Sequence, residues 1–140
     1  MSYASQADMV DRFGEQEMIS LTDRDRTGAI NTEVLERALS DATAEIDSHL
    51  ATRYELPLTS VPRVLVRLCA DMARYYLHDD NLPETVAARH KASTELLRKV
   101  SSGQVSIGSG GMGDAPEATD GAEIVSGGRI WGRDDSKGYI

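Results

Sequence analysis

Residues 33–53 read EVLERALSDATAEIDSHLATR, and the spacing of their apolar side chains decides the fold class. Leu35, Ala38, Leu39, Ala42, Ile46 and Leu50 recur every three or four positions, which is the period of one helical face. Glu36, Arg37, Asp41, Glu45 and Asp47 occupy the rest of the cylinder, and Asn31 or Thr32 is placed to cap it. About twenty residues at ~1.5 Å rise make a rod of roughly 30 Å. On the C-terminal side, Leu56-Pro57-Leu58 and Val61-Pro62 interrupt the pattern. Each proline removes a backbone donor and disfavours helix in the residue before it, so this stretch reads as an extended connector.

Two further helices follow. Pro62 suits the start of one that runs to about His78, with Leu65, Leu68, Cys69, Met72, Ala73, Tyr76 and Leu77 on its apolar face. Asn81 and Pro83 open the next, through Val86, His90, Leu97 and Val100, with Gly103 as its terminator. Towards the N-terminus, Ser5 is placed to cap a helix carrying Met9, Val10 and Phe13 that Gly14 stops. A short amphipathic stretch, Glu15 to Leu21, and a polar turn, Thr22 to Gly28, complete the sequence before the long helix. The expectation is an all-α fold, a small bundle of about four helices with a long, Gly-rich, extended C-terminal arm.

The 140 residues suit one domain and leave no room for two good cores. Ten of the twelve glycines lie at or after Gly103, so the first hundred residues have to supply the core. The chain divides into an α-helical body (1–102), a flexible Gly/Ser-rich linker (103–126) and a docking arm (127–140). The linker is too poor in apolar residues to offset its ordering entropy alone. The arm holds the only tryptophan, Trp131, with Arg129, Ile130, Arg133, Tyr139 and Ile140 around it. Large apolar groups on a tether either stay solvated or dock, and Trp and Arg are the residues most enriched among interface anchors.

Charge and targeting signals narrow the function classes. Fifteen basic against twenty-three acidic residues give a net charge of −8, with no lysine or arginine cluster. Tight nucleic-acid wrapping draws on a basic patch that displaces phosphate counterions, so that class is disfavoured. No stretch reaches the ~20 apolar residues of a membrane span, and the N-terminus lacks a secretion-signal pattern. The single cysteine, Cys69, excludes a disulfide framework and points to a reducing compartment during folding.

The chemistry-bearing residues are sparse. Asp23-x-Asp25-x-Thr27-Gly28-x-Ile30-Asn31 resembles a calcium loop, but Val34 stands where a bidentate glutamate belongs and Glu33 lies one place early. A polar turn capping the long helix is the preferred reading, and a calcium-responsive or regulatory helical module is the alternative. His49, His78 and His90 form no i, i+4 pair, so no zinc site is expected. His90, on the apolar stripe, is expected to be partly buried and hydrogen-bonded. Cys69, between Leu68 and Met72, is expected to act as a small hydrophobe rather than a nucleophile. Tyr75 and Tyr76 are expected to pack rather than to stack on bases. No catalytic, cofactor-binding or metal-ligating set emerges, and the expectation is a protein that is not an enzyme.

Several strings resemble the Mu-like bacteriophage family of small head–tail connector proteins. They are Tyr3 to Gly14, Leu21-Thr22-Asp23-Arg24, Ala42 to Leu50, Arg53-Tyr54-Glu55-Leu56-Pro57-Leu58 with Val61-Pro62, Asp71 to Leu77, and Arg129-Ile130-Trp131-Gly132-Arg133-Asp134. The resemblance implies a structural virion protein of the phage neck, made in the host cytoplasm. It would be an adaptor that docks under the portal protein as a ring of its own copies, expected to be twelve-fold. That ring would meet the next neck or tail-completion protein and continue the channel for double-stranded DNA, which would pass through without sequence-specific binding. The arm residues Arg129, Ile130, Trp131 and Arg133, assisted by Tyr139 and Ile140, are then the expected docking contacts. Acidic side chains facing the channel would keep DNA passage slippery. No membrane and no cofactor enter this picture.

Overall fold

The computed structural model describes residues 2–108 of the 140. The expected arm, including Arg129, Ile130, Trp131, Arg133, Tyr139 and Ile140, and the linker beyond Gly108 lie outside the described residues.

Among the described residues every regular element is a helix, in the order α1 (Gln6–Phe13), α2 (Glu15–Thr22), α3 (Thr32–Leu50), α4 (Arg63–Leu77) and α5 (Glu84–Ser101). The count is five because the short Glu15–Leu21 stretch forms a helix of its own. Gly14 makes the break: at φ 96° it closes α1 and also stands as the N-cap of α2. That backbone region is open to glycine at little cost.

Capping follows the sequence signals. The Ser5 side chain accepts from the Asp8 N–H while the Asp8 carboxylate accepts from the Ser5 N–H, a reciprocal box that satisfies two donors of the first turn. Asn31 caps α3, its Oδ1 accepting from the backbone of Glu33 and Val34. Pro62 and Pro83 stand just before α4 and α5, where a missing N–H costs nothing.

Helices α3, α4 and α5 pack on one another, and α1 and α2 fold together against α3 with α1 also reaching α4. The α3 stripe enters the core as its period demands: Leu35, Ala38, Leu39, Ala42, Ile46 and Leu50 are all buried. Opposite them lie Leu65, Leu68, Met72, Ala73 and Leu77 of α4 and Leu97 and Val100 of α5, joined by the buried Met9 of α1 and Met18 of α2. The core does not stop with α5. Ile107 is buried, and its N–H donates to the Tyr54 hydroxyl at 3.2 Å, which ties the end of the described chain to the connector after α3.

Candidate functional site

The reactive side chains resolve into structural roles. Cys69 is buried, 3.6 Å from the Thr43 hydroxyl, and burial pushes its thiol up, away from the thiolate a nucleophile needs. The Asp23 carboxylate is turned onto its own loop, accepting from the Thr27 N–H at 2.8 Å, the Gly28 N–H at 2.7 Å and the Thr27 hydroxyl at 3.0 Å. Those bonds, led by the Thr27 N–H, hold its pKa below the ordinary carboxylate value. Both oxygens are thus committed to shaping the turn, and Arg24 beside it reaches across to Asp79 at 2.8 Å. Thr22, fully buried, completes the joint: its hydroxyl donates to the Met18 carbonyl and accepts from the Asn31 N–H. Among the described residues no group of three or more His, Cys, Asp or Glu is gathered to hold a metal ion.

The tyrosines tie separate parts of the body together. Tyr76 of α4 donates its hydroxyl to Glu45 of α3, and Tyr3 donates to Asp47. In both, burial and then the neighbouring carboxylate raise the phenol's pKa. Tyr75 lies parallel to His90 of α5, with ring centroids 3.8 Å apart and planes 10° from coplanar. His90 is partly buried as its place on the stripe implies, but it packs by stacking; its buried Nε2 has no hydrogen-bond partner. The same holds for Ser93 Oγ one turn further along. The expectation of a hydrogen-bonded His90 fails for this nitrogen, which is buried where no donor or acceptor reaches it.

The structure also assembles a group of residues whose sequence positions give no hint of proximity. Arg12 and Phe13 at the end of α1, Arg67 and Asp71 on α4, and Arg89 and Ala92 on α5 line an open cleft of about 350 Å³. Asp71 is buried at its floor, with Arg67 Nη1 at 3.7 Å from one oxygen and Arg89 Nη1 at 3.8 Å from the other. At one edge Arg74 places its guanidinium 4.3 Å over the Phe13 ring while pairing with Glu17. Three guanidinium groups against one carboxylate leave the cleft positive on an acidic protein, and planar guanidinium forks suit carboxylate or phosphate oxygens. The one readable signal was Asp71 itself, an acid on the apolar stripe between Leu68 and Met72, one turn from Arg67. The contributions of Arg12 and Arg89 depend on how α1 and α5 pack, which periodicity does not encode.

Among the described residues no helix is long and apolar enough to cross a membrane. The sequence pattern of the family described as Bacteriophage Mu, Gp36 matches residues 3–126. A relative from Haemophilus influenzae, the Mu-like prophage FluMu protein gp36, is 33% identical over 138 residues, covering 99% of this chain and 98% of its own length. Gene product J of Escherichia phage Mu is 34% identical over 143 residues and is covered end to end, as is this chain. A small five-helix body with this match belongs to a bacteriophage protein. The chain is a member of the Bacteriophage Mu Gp36 family.

Proposed function

We propose that this phage structural or morphogenesis protein is an adaptor of the neck, a ring of identical helical bodies seated beneath the portal and continuing the DNA channel towards the tail. The observation that carries this reading is where apolar surface is left over. The helices bury their stripes against one another, and among the described residues Leu82, 40% exposed, is the only large apolar side chain left open. The described body thus leaves little fully exposed large apolar side chain to receive Trp131 and Ile130. Those side chains find burial on another protein, with Arg129 and Arg133 pairing to carboxylates or carbonyls around them and Tyr139 and Ile140 adding area.

Ring closure repeats one head-to-tail contact between identical subunits, and an arm that reaches a neighbour or the portal adds interface area without enlarging the body. The surplus of acids suits a lining that repels DNA phosphates as the duplex passes. The role is architectural, with no catalytic step and no cofactor. Co-purification with the portal protein tests it: the full chain should be retained, and a chain ending at Ser126 should fold yet fail to bind. Retention of the truncated chain at the same level would overturn the docking assignment.

A further inference from the structure

We infer that the cleft between α1, α4 and α5 receives the outward acidic face of α3 from a second copy of this chain, a contact that deepens the ring reading above and rests on it. The arginines at the cleft are under-used. Arg67 and Arg89 stand 3.7 and 3.8 Å from Asp71, beyond the ~2.7–2.9 Å of a charge-assisted hydrogen bond, and their side chains are half exposed. Arg12 is exposed and forms no ion pair among the described residues. Three guanidinium groups against the one carboxylate of Asp71 leave two positive charges uncompensated. Their planar forks remain open to incoming carboxylates.

The same body carries matching acids on a different face. Glu33, Glu36 and Asp41 of α3 are exposed, turned away from the buried stripe of Leu35, Leu39, Ala42 and Ile46. Arg37, the one arginine or lysine of that helix, leans towards Glu33 at 4.0 Å, while Glu36 and Asp41 form no ion pair among the described residues. Ser40 and Ala44 beside them are small and exposed, so the helix can come close to a partner. Glu33 and Asp41 lie about 12 Å apart along the axis, at ~1.5 Å per residue. A face of that length can meet arginines contributed by separate helices.

Charge favours a second copy over nucleic acid. Duplex DNA brings one phosphate about every 1.7 Å of axis, and Asp11 and Glu15, exposed within three residues of Arg12, oppose such a polyanion. A second copy is itself acidic, at −8, and offers its carboxylates on one helix face. No residue of α3 lines the cleft, so the two patches are separate. Contact between unlike patches is head-to-tail: every copy keeps one free cleft and one free acidic face. Association therefore passes beyond two copies, and it closes as a ring where the rotation allows.

The test is sedimentation velocity of the full chain over roughly 1–1000 µM, the range of a weak single-patch contact. The unmodified chain should associate beyond the dimer, and less so at about 0.5 M salt, where the screening length falls to about 4 Å. Arg12→Glu with Arg89→Gln, and separately Glu36→Arg with Asp41→Arg, should each weaken association about tenfold or more. All four positions are exposed, and Arg67 stays with buried Asp71, so circular dichroism should show both variants folded. A milder pair, Arg12→Gln with Arg89→Gln, reads the same loss should the reversal disturb folding. An equimolar mixture of the two reversed variants should associate again, because each offers the other the opposite charge. A chain that stays monomeric or stops at a dimer overturns the proposal, as does association that ignores both variants or a mixture that is not rescued. Tighter binding of short duplex DNA than of a second copy would make the cleft a phosphate site and would equally overturn it. Assembly that ignores the cleft charges while the portal still retains the full chain removes this contact and leaves the neck adaptor standing.

Discussion

Arg74 of α4 grips Glu17 of α2 with two prongs, Nε to Oε2 at 2.6 Å and Nη2 to Oε1 at 3.1 Å, while the same guanidinium covers the Phe13 ring of α1. One partly buried side chain thus fastens both short N-terminal helices to the α3–α4–α5 core. Helices of eight residues have little stability of their own, so their order depends on such contacts. Arg74→Ala should lower stability by about 2 kcal/mol in urea unfolding, through the lost charge-assisted bonds and the ring contact. Glu17→Gln, which leaves the Phe13 contact intact, should lower it less. Equal losses from the two would show that the ring contact contributes nothing.

Tyr3 and Tyr76 set the alkaline limit. Their phenols have raised pKa values in the folded chain through burial and a hydrogen-bonded carboxylate. The stabilisation is complete below the unfolded-state pKa of about 10 and is lost as pH rises from there towards the folded-state values, because only the unfolded chain ionises readily. Thermal unfolding should fall steeply above about pH 10, and the double variant Tyr3→Phe, Tyr76→Phe should flatten that fall. An unchanged pH profile in the double variant would rule out these two residues as its source.

Gly103 is the tightest backbone position at the end of α5. It adopts φ 88°, and a Cβ there would stand 2.1 Å from Arg53 Nη1. The exposed arginine can swing away, so the positive φ sets the penalty. Gly103→Ala should destabilise by about 1 kcal/mol, and adding Arg53→Ala should not restore the loss. Full rescue by the second substitution would instead make the side-chain collision the cause.

Much of this architecture is legible in the sequence because local rules govern it. The α3 stripe, the Ser5 box, the Asn31 cap and the proline-bounded starts of α4 and α5 each depend on residues within one or two turns. The separation of α1 from α2 turns on one glycine, and the Glu15–Leu21 stretch is too short for period alone to declare a helix. The cleft was not legible, since Arg12, Arg67 and Arg89 are far apart in the chain and meet only through tertiary packing. Nor was the unpartnered His90 nitrogen, because stacking on Tyr75 depends on the relative rotation of α4 and α5.

Calcium offers a clean discrimination against the regulatory reading. Asp23 holds its oxygens on Thr27 and Gly28, so micromolar to millimolar calcium should produce no binding heat and no rise in Tm. A saturable heat at about 1–10 µM, the affinity range of sensor loops, would revive the calcium-responsive module.

The neck assignment is tested most directly by cryo-electron microscopy of intact virions. The account predicts a closed ring of five-helix bodies directly below the portal, with density for Trp131 buried against the portal or an adjacent subunit. A particle without this chain at that level, or a Trp131 side chain exposed to solvent or folded onto its own helices, would contradict it.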